Sequence, residues 1–463
     1  MTHLSQAPET DLWRIILFAS SGKRLLALPT DGRWRLPTLT VPRFRRLAEH
    51  LTTALAAECS QKAVCLFRLD LDSDRSDLRF HVMESCEDSS APSDGSQWVS
   101  ISSLTDSQFA DPLDLAAVQK ALAVCPGRGA LAKLGWFSDL TAWVREIAAR
   151  EGLILRNHFS QLNADPPFGL IRFETNGPAL WFKAVGEPNL REYRITRTIS
   201  EYFPAFLPRL LAARDDCNGW IAMEARGAHP DQLSPRAPWE MIAEQLADLQ
   251  IASLGRTLHL ADVGCRDLRA ASLAELVDPF FTVLAELMQL QTKPCPPPVS
   301  SQELLSLKDQ LQRVLAHIQA GQVPNSLGHL DLNPRNIVVS PNRCTFLDWA
   351  EACIGHPFLT LQYLLAHLDR DGFLDPRSRG RIVSAYAARW KYFAEPAEID
   401  QHLALAPLVA VFAYAVSIDA WRDPSLRRRP EVAKFLRSLA RRMAREVNRS
   451  AISNASWSAS CLR

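Results

Sequence analysis

No stretch of this chain restricts its possible folds as tightly as Ser326–Pro357, which reads SLGHLDLNPRNIVVSPNRCTFLDWAEACIGHP. It contains His329-x-Asp331-x-x-x-x-Asn336, then two β-like runs, Ile337–Ser340 and Cys344–Leu347, and then Asp348-Trp349. An aspartate followed five residues later by an asparagine lets one loop present both groups, and a hairpin can return a second aspartate, twelve residues on (348 − 336), to the same end. A carboxylate that can orient a hydroxyl, beside oxygen ligands for Mg²⁺, is what phosphoryl transfer requires, because its transition state is stabilised mainly by positioning and charge neutralisation. His329, two residues before the first aspartate, is placed to brace the loop. The bland alternative is a polar turn between two strands.

The segment resembles the catalytic and metal loops of the aminoglycoside phosphotransferase and choline kinase-like family, which read H-G-D-x-x-x-x-N and then D-W or D-F. That resemblance implies an α+β, protein-kinase-like, two-lobed fold with a small β-rich N-lobe and a large helical C-lobe. It further implies ATP and Mg²⁺ as cofactors, Asp331 as catalytic base, His329 as loop support, and Asn336 and Asp348 as metal ligands. Two departures stand out. Leu330 occupies the usual glycine position, which predicts a less compact loop, and Gly355-His356-Pro357 lacks the aspartate many relatives carry there.

Upstream, Ala179-Leu-Trp-Phe-Lys183-Ala-Val185 sets one lysine in an apolar strand, where an unpaired ammonium is costly. The resemblance gives Lys183 the α/β-phosphates and a glutamate from the following helix: Glu192, with Glu201 the weaker candidate. It also makes Asn163–Gly169 a nucleotide-covering connection and puts Met223, Glu224 and Ala225 against adenine. It covers about residues 152–447.

Before this region, Trp13–Leu28 reads as two strands joined at Ser20-Ser21-Gly22, followed by a helix over 42–58 and a strand over Ala63–Leu71. Eleven acids against two bases between Asp70 and Asp114 predict a solvated loop and hairpin. The run Gly32-Arg-Trp-Arg-Leu-Pro37 faintly resembles a Nudix motif, yet the helix after it offers only Glu49 and Glu58, too few carboxylates for a metal cluster. The expected organisation is a non-catalytic α/β module at 1–125, a linker helix at 126–151, an N-lobe at 152–227, a helical C-lobe at 228–450 and a tail at 451–463. The Pro-rich run 294–298 reads as a connector between helices. The basic stretch Arg422–Arg449, with ten Lys/Arg against three acids, reads as a solvated helical face.

A net charge of +1 provides no global field toward nucleic acid or membrane. The N-terminus lacks the basic and apolar blocks of a secretory signal, and the apolar run Leu403–Ile418 reads as too short to span a bilayer. Ten cysteines without C-x-x-C or metal spacing read as reduced thiols. A cytoplasmic enzyme phosphorylating a hydroxyl of a small molecule, without nucleic-acid or membrane partners, is therefore expected. The absence of an A-P-E-like segment after Asp348-Trp349 argues against a protein acceptor. A nucleotide-binding pseudokinase is the alternative.

Overall fold

The computed structural model describes residues 9–43, 46–71, 78–86, 95–125, 129–165, 168–233 and 237–449. The expected boundary at Pro126–Arg128, the tip Pro166-Pro167 of the nucleotide-covering connection and the tail 451–463 lie outside them. The chain divides into two compact units, Met1–Tyr193 with Pro208–Ala225, and Arg194–Leu207 with Arg226–Arg463.

The first unit is built on two sheets. Strands β1 (Thr10–Phe18), β2 (Arg24–Thr30), β3 (Arg33–Arg35) and β4 (Thr38–Pro42) are followed by helix α1 (Leu47–Cys59), then by β5 (Ala63–Leu69), β6 (Phe80–Ser85) and β7 (Gln97–Ser100). They form one sheet in the order β3-β2-β1-β6-β5, with β4 pairing β1 and β7 pairing β2. Only the β1–β6 pairing is parallel among these. Thus β6, in a stretch expected to be solvated loop and hairpin, is an interior strand. All six of its residues are buried, because Phe80, Val82 and Met83 outweigh the acidic average around them.

Helix α2 (Pro112–Val124) begins at Asp111, whose side chain accepts from the Leu113 amide, a standard N-cap. Helix α3 (Trp136–Arg150) occupies the stretch expected as a linker, but it buries Trp136, Phe137, Leu140, Val144 and Ile147. These residues share one core with Phe18, Phe67 and Val82 of the first sheet and with Ile171, Phe173 and Phe182 of the second. Helix α3 is therefore a packing layer.

The second sheet contains β8 (Leu155–Asp165), β9 (Phe168–Thr175), β10 (Leu180–Ala184), β11 (Leu210–Arg214) and β12 (Gly219–Met223), with helix α4 (Arg191–Tyr202) between β10 and β11. Its order is β11-β12-β10-β9-β8, antiparallel throughout. The Asn176-Gly177-Pro178 turn joins β9 to β10, with the Thr175 hydroxyl accepting from the Gly177 amide and donating to the Pro178 carbonyl.

The second unit is mostly helical. In chain order it holds α5 (Pro230–Leu233), α6 (Trp239–Ala252), α7 (Thr257–Asp262), β13 (Arg266–Leu268), α8 (Ala270–Gln289) and α9 (Ser301–Ala320). Strands β14 (Ser326–His329), β15 (Ile337–Ser340), β16 (Arg343–Phe346) and β17 (Ala352–Gly355) come next. They are followed by α10 (Phe358–Arg370), α11 (Pro376–Trp390), α12 (Pro396–Ser417), α13 (Pro424–Arg427) and α14 (Pro430–Arg449).

One core joins α8, α9, α12 and α14; another gathers α6, α10 and α11 around the short strands. The Pro-rich run 294–298 does connect α8 to α9, and Arg441 of α14 donates to the Pro296 and Pro297 carbonyls. Helix α12 is longer than its apolar run suggested. At 22 residues with mean hydropathy 1.5 it is, among the described residues, the one helix long and apolar enough to cross a membrane, yet most of it is buried within this unit. None of the described cysteines is disulfide-bonded. The architecture is α+β, a sheet-rich first unit and a helical second one.

Candidate active site

Strand β14 ends at His329, and the chain then turns through Asp331 before forming the β15–β16 hairpin, a separate two-stranded sheet. In that hairpin Ile337 pairs with Phe346, and the Leu347 amide donates to the Asn336 carbonyl at 2.8 Å. Antiparallel register therefore sets Asn336, just before one strand, opposite Leu347, and Asp348 follows directly after Leu347 at the same end of the hairpin. Asp348 adopts φ 61°, a left-handed conformation that aspartate tolerates better than most side chains. On the other side the Asn336 amide nitrogen donates to the Asp331 carbonyl at 2.8 Å and lies 3.4 Å from its Oδ2. Asp331, Asn336 and Asp348 are thus gathered at one end of one hairpin.

His329 is what holds the turn. It is 1% exposed, its Nε2 donates to the Leu347 carbonyl at 3.0 Å, and its Nδ1 accepts from the Asp331 amide at 3.1 Å. Those bonds use both ring nitrogens and fix a neutral tautomer. Burial holds the ring below its ordinary pKa, against the Leu347 bond and the Asp348 and Asp331 charges, which raise it. Trp349 packs on this ring with centroids 5.0 Å apart, which explains why a tryptophan follows the second aspartate. Leu330 does not loosen the loop as expected: it is 3% exposed in the helical core, and its amide donates to Glu351 at 3.1 Å. His356 is buried, with its Nε2 3.0 Å from Nδ1 of His402.

Asp331 is solvent-accessible and surrounded by donors. Asn333 Nδ2 lies 3.2 Å from its Oδ1, and His367 Nε2, on α10, lies 3.5 Å from the same oxygen. Burial pushes this carboxyl's pKa up, but hydrogen bonding from His367 and Asn333 outweighs it and leaves the group below its ordinary value. It is therefore an ionised acceptor near neutral pH.

Two carboxylates and an amide make a hard oxygen set suited to Mg²⁺. With the Asn336 nitrogen engaged by Asp331, its side-chain oxygen is the atom left to face a cation. Among the described residues no cluster of three or more His, Cys, Asp or Glu forms a metal site by itself. Magnesium sites of this type are completed by phosphate oxygens and water.

In the first unit, Lys183 on β10 is ion-paired with Glu192, in the first turn of α4, and its ammonium lies 5.8 Å from the Trp220 ring centroid. Glu192 is 2% exposed, whereas Glu201, the weaker candidate, is exposed. Of the three residues expected at adenine, Met223 and Glu224 commit their amides to the Arg209 and Ala179 carbonyls, both at 2.9 Å. The Glu224 carboxylate is taken by Arg172 at 2.8 Å and Trp181 at 3.2 Å. Among the described residues, Ala225 alone of the three has an amide without a backbone partner. Just beyond it, in the second unit, Gly227 at φ 138° runs so close to β15 that a Cβ there would lie 2.1 Å from the Val339 carbonyl oxygen.

Sequence reasoning did not find His367 or Arg370. No spacing rule links residue 367 to residue 331.

An ionised, accessible carboxylate, a braced loop and two further oxygen-bearing side chains lie together here on an α+β scaffold. Residues 191–400 match the model of the family described as phosphotransferase enzyme family, APH. Lys183 lies just outside the matched segment; the other candidate residues lie within it. No curated protein matches the chain.

Among solved structures, it is similar to macrolide 2'-phosphotransferase MphH from Brachybacterium faecium, with 16% identity and a TM-score of 0.42, covering 65% of this chain and 97% of that one. It is also similar to choline kinase from Cryptosporidium parvum, with 12% identity and a TM-score of 0.45, over 67% and 97%. A third is spectinomycin phosphotransferase APH(9)-Ia, solved with ADP and spectinomycin, at 11% identity and a TM-score of 0.42, over 66% and 98%.

Proposed function

We propose that this chain transfers the γ-phosphate of ATP to a hydroxyl of a small molecule. The observation that carries the reading is the gathering of Asp331, Asn336 and Asp348 at one end of the β15–β16 hairpin, with His329 tying the turn to Leu347. In this reading Asp331 is the catalytic base: its ionised carboxylate accepts the acceptor hydroxyl's proton as the oxygen attacks. Asn336 and Asp348 would hold Mg²⁺, which neutralises charge on the phosphates. Lys183, oriented by Glu192, would bind the α/β-phosphates, and the Met223–Ala225 segment would meet adenine, Ala225 through its amide and Met223 through other atoms.

Residues 152–227 then act as N-lobe and 228–450 as helical C-lobe. Residues 1–125 serve recognition or regulation, and the enzyme works in the cytoplasm.

The test is a metabolite-library screen for acceptor-dependent ADP release, with Asp331→Asn as baseline. ADP release with one or more alcohols in the wild type and none in the variant supports the reading. Binding of Mg²⁺·ATP with no ADP release for any acceptor overturns it in favour of a nucleotide-binding pseudokinase.

A further inference from the structure

We propose that His367 is a positioning residue for the Asp331 carboxylate, holding its Oδ1 so that Oδ2 is the atom presented to the acceptor hydroxyl. This rests on Asp331 being the base.

The His329 amide donates to the Thr360 hydroxyl at 3.0 Å, so the first turn of α10 is anchored to the strand that feeds the Asp331 turn. Two turns later, near the end of α10, His367 faces that turn. Its Nδ1 lies 2.9 Å from the Arg370 guanidinium, three residues along the same helix. An arginine can only donate, so the contact requires a lone pair on Nδ1 and places the ring proton on Nε2. Nε2 is the atom 3.5 Å from Asp331 Oδ1. The chain of contacts therefore runs guanidinium to imidazole to carboxylate, each donor aimed at the next acceptor.

The two carboxylate oxygens are not equivalent. Oδ1 faces both His367 and Asn333, at 3.5 and 3.2 Å, whereas Oδ2 has the Asn336 nitrogen at 3.4 Å. The backbone bonds around Asp331 fix its main chain but not its side-chain torsions. The Asp331 side chain is 53% exposed and gains little from packing, so donors on one oxygen set its rotation. A contact of 3.5 Å is long for a hydrogen bond, as catalytic contacts commonly are before substrate binds. A histidine near a helix C-terminus would ordinarily serve the last carbonyls. Here both ring nitrogens point elsewhere.

The experiment uses the full chain with ¹⁵N-labelled histidine and reads the ring nitrogens directly. His367→Gln identifies the His367 signals by their loss. The expected pattern is the Nε2–H tautomer in the wild type, a redistribution toward Nδ1–H in Arg370→Met, and a shift of the Nε2 resonance in Asp331→Asn. In turnover assays His367→Ala is expected to lower kcat about tenfold, in the range usual for residues that orient a catalytic group, with the KM for ATP unchanged. His367→Gln, which restores an N–H donor, should recover most of that loss.

Ring signals indifferent to both Arg370→Met and Asp331→Asn overturn the proposal. So does a wild-type kcat in His367→Ala, or a glutamine variant no better than alanine. If the wild type and Asp331→Asn release ADP equally, the base assignment itself fails, and the ring signals alone decide whether His367 is tied to Asp331.

Discussion

The Asp331 turn and the core around α3 use polar and apolar side chains in opposite ways. In the turn, polar side chains satisfy one another, most of them from nearby in sequence with Thr360 and His367 of α10 added, and the carboxylate they hold is exposed. In the first unit, Phe18, Phe67, Phe137, Phe173 and Phe182 come from elements up to 164 positions apart (182 − 18) and expose almost nothing. Even its polar contact is long-range. Gln161 of β8, 2% exposed, accepts from the Cys65 amide at 2.7 Å and donates to the Cys65 carbonyl at 2.9 Å. The register of β5 against β6 shifts between Cys65 and Phe67, and that of β8 against β9 shifts between Gln161 and Asn163. At this doubly irregular point a side-chain amide takes the place of a neighbouring strand. On the proposed function the turn serves chemistry and the core cohesion, so damage to each should register in different measurements.

The largest effect expected is on chemistry. Asp331→Ala should lower kcat by roughly 10²–10⁴-fold, the range for loss of a general base, while its thermal midpoint stays near that of the wild type. A collapse in stability would mean that the turn is structural after all, and the contrast with the α3 core would disappear. Phe137→Ala probes the other side. Its ring lies 4.6 Å from Phe159 and 6.2 Å from Phe173, centroid to centroid, within a core shared by both sheets. A loss of about 3–5 kcal/mol in chemical denaturation is expected. A free linker helix would lose less than 1 kcal/mol. Gln161→Ala should cost less, about 1–3 kcal/mol, because it leaves the buried amide and carbonyl of Cys65 without partners.

The same contrast governs what could be read from sequence. The grouping of His329, Asp331, Asn336 and Asp348 was legible because it depends on short spacings along the chain. Lys183 stood out as a charge in an apolar strand. Strand β6 was hidden, since its parallel pairing with β1 joins residues 66 positions apart (80 − 14) and the surrounding composition is acidic. Strand β11 is half-buried throughout and shows no alternation to detect. Leu330 was misread because its side chain enters a core assembled from α8, α9 and α12, which nothing in the loop announces. His367 and Gln161 reach their partners only through tertiary packing.

The smallest effect concerns a feature the two units share, a buried histidine. His81 of β6 sits beside Trp13, with ring centroids 5.8 Å apart, and its Nδ1 donates to the Val82 carbonyl at 3.1 Å. Burial pushes its pKa down from 6.5 to about 4; in the second unit, burial and the neighbouring His402 push His356 to about 3. Because both folded values lie below the unfolded one, the unfolded chain takes up protons first as the pH drops. Stability is therefore full above pH 6.5 and declines through the window from 6.5 toward 4 for His81 and toward 3 for His356. One unit below 6.5, each histidine should cost about 1 kcal/mol. Denaturation of the wild type and of His81→Phe between pH 7 and 5 gives the measurement. The variant keeps a ring against Trp13 and loses the titrating group, so its stability should fall less steeply with acid, by up to one proton. Equal slopes would mean that His81 titrates alike in the folded and unfolded chain, which a ring enclosed between the first sheet's strands and Trp13 does not permit.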